Sequence, residues 1–181
     1  PEDNDEYPRI ISDGHFDRIC SLIDEKRIVF GGNSNKGKRY ISPTFIALDS
    51  SDHSIMNEEI FGPVLPIISF DNIDEVENII KAKEKPLALY IFTKNRNFSD
   101  DLLQNISFGG ACVNDTMTQY ANPNLPFGGV GHSGIGDYHG KYSFKTFSHY
   151  KSIFKKSMTI DFTRFVRYAP WKDKFDFIKK I

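Results

Sequence analysis

The stretch MNEEIFGPVLPI, residues 56–67, sets two adjacent carboxylates, Glu58 and Glu59, beside the ring of Phe61 and a rigid Gly62-Pro63 corner. Paired acids next to an aromatic suit recognition of a polar ligand with a flat face. The carboxylate accepts hydrogen bonds from hydroxyls and the ring packs on the face. The same residues also read as a solvated turn ahead of a strand. Other groups able to do chemistry are dispersed. Cys20 falls on the apolar face of a helix and Cys112 in an apolar strand, so both read as buried, inert thiols. His15, His53, His132, His139 and His149 include no pair at metal-ligand spacing. Each reads as a surface or hydrogen-bonded histidine, and no metal is expected.

Two glycine patterns imitate nucleotide loops. Gly129, Gly131 and Gly134 spell G-x-G-x-x-G. That fingerprint must follow a buried strand and open a helix. Here NPNLPF precedes it and DYHG follows soon after, so a glycine-rich surface loop is expected. Residues 32–38, GNSNKGK, fit G-x-x-x-x-G-K, but Arg39 stands where Ser or Thr is required. A strand rather than a helix follows, so no phosphate cradle of that type forms.

The elements that must position these groups follow from periodicity. Ser12 caps a helix through about Glu25, with Phe16, Ile19, Cys20 and Ile23 on one face. RIVF reads as a short strand, GGNSNKGK as a hairpin loop, and RYISPTFIAL as a second strand that Pro43 pushes to an edge or bulge. VLPIISF is a strand. Asn72 with Glu75 starts a helix facing Ile73, Val76, Ile79 and Ile80 inward. LALYIFT reads as a strand buried on both faces, Ser99 as the cap of the next helix with Asp100 and Asp101 in its first turn, and GGACVND as another buried strand. This order predicts an α/β fold, a mainly parallel sheet with flanking helices. Phe144 and Phe147 suit a short helix and HYKSIFKK an exposed strand. Trp171, Phe175, Ile178 and Ile181 form one stripe of an amphipathic tail helix.

Composition narrows the class. The 181 residues suffice for one domain with a core, and 39% hydrophobic with 26% charged residues is ordinary for a globular protein. A net charge of −1 gives no general pull toward nucleic acid, so no nucleic-acid partner is expected. Sixteen Phe and eight Tyr point to aromatic packing in a core or pocket. Two cysteines make no disulfide framework, so a reducing compartment is the default. No run of residues is long and apolar enough to span a bilayer.

Several blocks together resemble one family. NEEIFGPVLPI, EKPLALYIFT, GGACVND, LPFGGVGHSGIGDYHGKYSFKTFSH and YKS, in this order and spacing, are similar to the C-terminal half of an aldehyde dehydrogenase of the class 3 group, which includes the fatty aldehyde dehydrogenases. RIIS with HF near the start and VRYAPW near the end fit the same group. The resemblance covers nearly the whole chain. It implies part of a catalytic domain over residues 1–147, an oligomerisation strand over 148–157, and a tail with an amphipathic helix over 158–181. It also implies oxidation of fatty or aromatic aldehydes to carboxylic acids with NAD or NADP, through a cysteine nucleophile and a glutamate base.

Carried over residue by residue, the resemblance makes Glu59 the acceptor of both hydroxyls of the nicotinamide ribose. Phe61 packs near the nicotinamide. Phe127 lines the aldehyde entrance, with Met117, Tyr120 and His139 as further members of that funnel. Asn114 is positioning structure near the active site. The implied partners are an aldehyde substrate and a second copy of the chain in a homodimer. The implied location is cytoplasmic, with endoplasmic reticulum membrane association through a C-terminal segment. The tail reads first as a segment packed on the domain, and otherwise as a cover on the substrate entrance or a membrane-surface helix.

The departures from the family's pattern are large. No G-Q-x-C motif is present, and neither Cys20 nor Cys112 matches the nucleophile. The base, the oxyanion asparagine and the coenzyme domain lie upstream in the family. The expectation is therefore a fragment that is inactive alone, the alternative being a non-catalytic dimerising or binding module.

Overall fold

The computed structural model describes residues 1–161 and 164–180. Helix α1 (Asp13–Leu22) starts where Ser12 Oγ accepts from the His15 amide at 3.2 Å, and it ends earlier than its pattern predicts, with Ile23 already extended. Its apolar face covers a three-stranded sheet made of β1 (Ile28–Phe30), β4 (Thr44–Leu48) and β5 (Val64–Ile68). β1 pairs antiparallel with β4, and β4 pairs parallel with β5 from Thr44↔Val64 to Leu48↔Ile68. Phe16 and Ile19 pack with Ile41, Ile46, Leu48, Ile55 and Val64 in one core, and Cys20 lies partly buried against it. On β4 the burial alternates. Thr44, Ile46 and Leu48 face the core, whereas Phe45 points outward and meets Phe30 at 5.4 Å between ring centroids.

The segment read as one strand from Arg39 is two. β3 (Tyr40–Ile41) pairs antiparallel with β2 (Ser34–Asn35), and β4 begins after Pro43. Proline has no N–H for a ladder, so the chain changes sheets there.

The second half repeats strand and helix. Asn72 Oδ1 accepts from the Glu75 amide at 3.1 Å and opens α2 (Ile73–Lys81). β6 (Ala88–Ile91) leads to α3 (Arg96–Asn105) and then β7 (Gly110–Val113), which pairs parallel with β6. Ile91, Leu102 and Ile106 form a second core, with Ile73, Val76 and Ile80 packed on it; Ile79 is only partly buried and lies outside it. Two expectations fail here. Ser99 does not cap α3. Asn95 does, accepting from the Phe98 amide at 3.3 Å, while Ser99 is buried within the helix and donates to the Arg96 carbonyl. Starting one turn earlier brings Phe98 onto the second core and moves Asp100 and Asp101 beyond the first turn. Nor is β6 buried on both faces: Ile91 is buried, but Tyr90, Phe92 and Leu87 are exposed. A two-stranded piece covers only one of its faces.

The chain is thus mixed α/β with parallel pieces and flanking helices, in three small sheets among the described residues rather than one continuous sheet. Beyond β7 come α4 (Thr118–Ala121) and α5 (Lys141–Thr146), with Phe144 inside α5 and Phe147 at its end. Residues 149–156, read as an exposed strand, form no ladder among the described residues, because no other strand lies alongside. The tail helix is broken into α6 (Arg164–Arg167), a 3-10 turn at Lys172–Lys174 and α7 (Phe175–Ile178). Trp171 and Phe175 are exposed, and Ile181 lies outside the described residues. Among the described residues no helix is long and apolar enough to cross a membrane.

The capping assignment is testable by urea unfolding. Asn95→Ala should destabilise the protein by about 1 kcal/mol, the usual cost of a lost N-cap, and Ser99→Ala by less; the reverse order would restore Ser99 as the cap.

Candidate functional site

The site begins at the corner that carries Phe61. This residue takes φ = +49°, a left-handed conformation, and is 71% exposed. A non-glycine held there costs on the order of 1–3 kcal/mol and persists only when its surroundings over-determine it. The surroundings are α1. A Cβ on Gly62 would lie 2.5 Å from Ile19 Cδ1, so glycine lets the corner sit directly on the helix. His15 Nε2 lies 2.8 Å from the Phe61 carbonyl oxygen, and Arg18 Nη2 donates to the Ile60 carbonyl at 2.5 Å. Residues 15, 18 and 19 share one face at helical spacing, which is why one helix supplies all three contacts.

The two acids divide. Glu58 pairs with Arg18 at 2.9 Å. Glu59 is exposed, and its carboxylate has no hydrogen-bond or ion-pair partner among the described residues. It lines a cleft of about 610 Å³ with Lys83, Lys85, Leu87, His132 and Ser133. Phe61 lines a separate groove of about 460 Å³ with Tyr7, Ile11, His15 and Pro63. Phe127 lines a third cleft, of about 330 Å³, whose wall includes Leu87 and Ser133. The clefts of Glu59 and Phe127 therefore adjoin across those two residues, whereas the Phe61 groove shares no lining residue with the Phe127 cleft.

Around Phe127 the rings form a cluster. Tyr120 meets it edge-on at 5.1 Å and Tyr138 at 5.5 Å, and His139 lies 4.2 Å from Tyr138 and 6.0 Å from Tyr120. A pair of backbone hydrogen bonds between Phe127 and Tyr138, 3.1 and 2.9 Å, fixes their register. His139 is tied through Nδ1 to the Leu125 carbonyl at 3.1 Å and through its amide to Ser143 Oγ at 3.0 Å. Desolvation, and then the nearby Tyr120 hydroxyl, raise the Tyr138 phenol above its ordinary pKa. Met117 sits apart from these rings, with its sulfur 3.7 Å from the Tyr90 hydroxyl. Asn114 joins the ends of β6 and β7: its Oδ1 accepts from the Thr93 amide at 2.8 Å and its Nδ2 donates to the Thr93 carbonyl at 2.9 Å.

Backbone strain gathers at these positions. Five non-glycine residues among those described have positive φ: Arg39, Phe61, Asn114, Met117 and His139. Four of the five are residues singled out from the sequence, and such strain clusters at ligand sites. The glycine loop does something else. Gly131–Ser133 is a single 3-10 turn, and a Cβ on Gly129 would lie 2.1 Å from the Ser133 carbonyl oxygen. Its glycines permit backbone to pack on backbone, with no strand–helix cradle. Cys112 is buried, its thiol donating to Gln119 Oε1 at 2.6 Å, and among the described residues no group of acids, His and Cys could hold a metal.

The sequence carries no site role for Arg18 or Tyr138, and His15 reads there only as a surface or hydrogen-bonded histidine. The i, i+3, i+4 set at 15, 18 and 19 was a usable signal for His15 and Arg18, since two polar groups border an apolar stripe. Tyr138 carried none, because its place depends on a bridge formed only in the fold.

Residues 2–153 match the aldehyde dehydrogenase family. The chain is 47% identical over 176 residues to the 4,4'-diaponeurosporen-aldehyde dehydrogenase of Staphylococcus aureus, covering 96% of this chain and 38% of that protein. It is 44% identical over 165 residues to the dimeric NADP-preferring aldehyde dehydrogenase of Mus musculus, covering 91% of this chain and 36% of that one. The fold is similar to the substrate-bound state of Staphylococcus aureus AldH, with a TM-score of 0.78 and 46% identity over 95% of this chain and 38% of the other. The chain thus spans less than two fifths of the length of each of these relatives. Together with the E-x-F-G-P corner and the aromatic cleft, these matches place it: the chain belongs to the aldehyde dehydrogenase family.

Proposed function

We propose that this chain supplies the ribose-gripping corner and the aldehyde mouth of an NAD- or NADP-dependent aldehyde dehydrogenase that oxidises fatty or aromatic aldehydes to carboxylic acids. The observation that carries the reading is the free carboxylate of Glu59 in a cleft that adjoins the aromatic cleft of Phe127 across Leu87 and Ser133. A carboxylate without a protein partner fits two adjacent sugar hydroxyls, since each of its oxygens can accept one hydrogen bond. The exposed ring of Phe61 offers a flat face to a nicotinamide. When bound, the dinucleotide supplies the acceptor for the hydride. The chain's own part is to hold that acceptor and to receive the aldehyde. Phe127 lines the mouth that takes the apolar tail, Tyr120 and His139 brace its ring, and Met117 stands apart beside the Tyr90 hydroxyl. Asn114 keeps the strand ends that carry this lining in register.

Neither thiol is placed to attack a carbonyl. Cys112 is buried and hydrogen-bonded to Gln119, and Cys20 packs against the first core. Attack requires an exposed thiolate beside a base or cation. The chain by itself is therefore inactive in this reading, and the nucleophile and the general base belong to other polypeptide.

A second reading, a non-catalytic dimerising module, is favoured by one feature. Tyr150, Ile153 and Phe154 are exposed on an extended arm with no ladder of its own. Such an arm over residues 148–157 suits pairing with another subunit by strand addition. The arm suits either reading, and a homodimer is part of the proposal, with residues 1–147 as part of a catalytic domain and 158–181 as a tail.

Glu59→Gln in the natively expressed protein should raise the coenzyme KM by about tenfold or more, the loss expected for hydrogen bonds to a charged acceptor, while the aldehyde KM stays near its original value. An unchanged coenzyme KM would remove the reading. The purified 181-residue chain should form no NADH when given aldehyde and NAD. An aldehyde-dependent rate abolished by Cys112→Ala would show that the chain carries its own nucleophile.

A further inference from the structure

Glu59 and Phe61 do not hold their own geometry; two side chains from α1 do. We propose that Arg18 and His15 are positioning residues for the coenzyme corner, an inference that rests on the reading of Glu59 and Phe61 given above. Arg18 reaches three partners, two by hydrogen bonds and one by an ion pair. Nη1 pairs with Glu58 Oε2 at 2.9 Å, Nη2 donates to the Ile60 carbonyl at 2.5 Å, and Nε donates to His15 Nδ1 at 3.3 Å. Because Nδ1 accepts, the network assigns the proton of the neutral ring to Nε2, which donates to the Phe61 carbonyl at 2.8 Å. Two consecutive carbonyls are thus tied to one helix, that of Ile60 directly by Arg18 and that of Phe61 through the relay from Arg18 to His15.

The relay has a direct consequence for the acids. Glu58 and Glu59 both line the cleft; by pairing with Glu58, Arg18 engages one of the two carboxylates and leaves Glu59 as the unpaired acceptor. By fixing the carbonyls of residues 60 and 61, the pair holds the left-handed backbone that turns the Phe61 ring outward. Lysine at position 18 keeps the charge opposite Glu58 but has a single nitrogen and cannot fork to three partners.

A brace that served only the fold would act on the folded fraction. Its loss would lower the maximal rate and leave the coenzyme affinity of the remaining folded protein untouched. A brace that positions the corner acts on affinity. The test is a titration of NADH fluorescence on the natively expressed protein, with aldehyde kinetics alongside. Arg18→Lys and His15→Phe should each weaken NADH binding by about tenfold, with the aldehyde KM within about twofold of its original value, as expected for lost pre-organisation at one ligand only. His15→Gln, which returns an N–H donor at similar reach, should recover binding to within about threefold. If Arg18→Lys does not fold, the His15→Phe and His15→Gln pair decides. Unchanged NADH affinity in His15→Phe, alongside weakened affinity in Glu59→Gln, would overturn the positioning role and leave the coenzyme reading standing. Unchanged affinity in Glu59→Gln as well would overturn both.

Discussion

The contact between α1 and the backbone of residues 60–62 is the constraint on which the site depends. It works from two sides. Ile19 fills the space that a side chain at Gly62 would need, so the chain must turn tightly there. His15 and Arg18 then take up the two carbonyls that the turn exposes. The strain at Phe61 is held by a helix that is itself anchored in the first core through Phe16 and Ile19. Local geometry at the Phe61 corner is thereby tied to burial of apolar surface in the first core, the usual way a strained residue is maintained.

The rest of the site follows the same division between anchored scaffold and open edge. β6 and β7 are held to α2 and α3 by the second core, and Asn114 joins the strand ends with two hydrogen bonds to Thr93. The loop after them folds back so that Phe127 and Tyr138 pair and line one cleft, with Tyr120 and His139 packed against their rings. Leu87 and Ser133 belong to that cleft and to the one at Glu59. A ligand with a polar end at Glu59 and a partner with an apolar tail at Phe127 would meet across this shared wall. The surfaces left exposed are also ordered in this sense. Phe30, Phe45, Leu65 and Ile67 line the side of the first sheet that α1 does not cover, and Tyr90 and Phe92 the open side of the second.

Much of this was legible in the residues, for identifiable reasons. Ser12 and Asn72 carry the capping chemistry that starts helices, and the alternation in TFIAL reports a strand with one buried face. The G-x-G-x-x-G pattern could be set aside because a cradle needs a strand before it and a helix after it, and it has neither. Other features depended on packing. Asn95 and Ser99 are both good caps, and the position of Phe98 against the second core decided between them. LALYIFT has the composition of a doubly buried strand, but burial depends on what lies on each face, which composition does not report. Of the site, the E-x-F-G-P corner and the ring residues were readable as types. The relay through Arg18 and His15 was not, since it joins residues more than forty positions apart through backbone carbonyls that have no sequence signature.

The central claim is a matter of where a coenzyme lies, and the most direct measurement is a crystal structure of the natively expressed protein with NAD or NADP bound. The account expects both carboxylate oxygens of Glu59 within hydrogen-bond distance of the two ribose hydroxyls, with the Phe61 ring against the nicotinamide. A dinucleotide seated instead on the Gly129–Gly134 loop, or bound with Glu59 facing solvent, would contradict it.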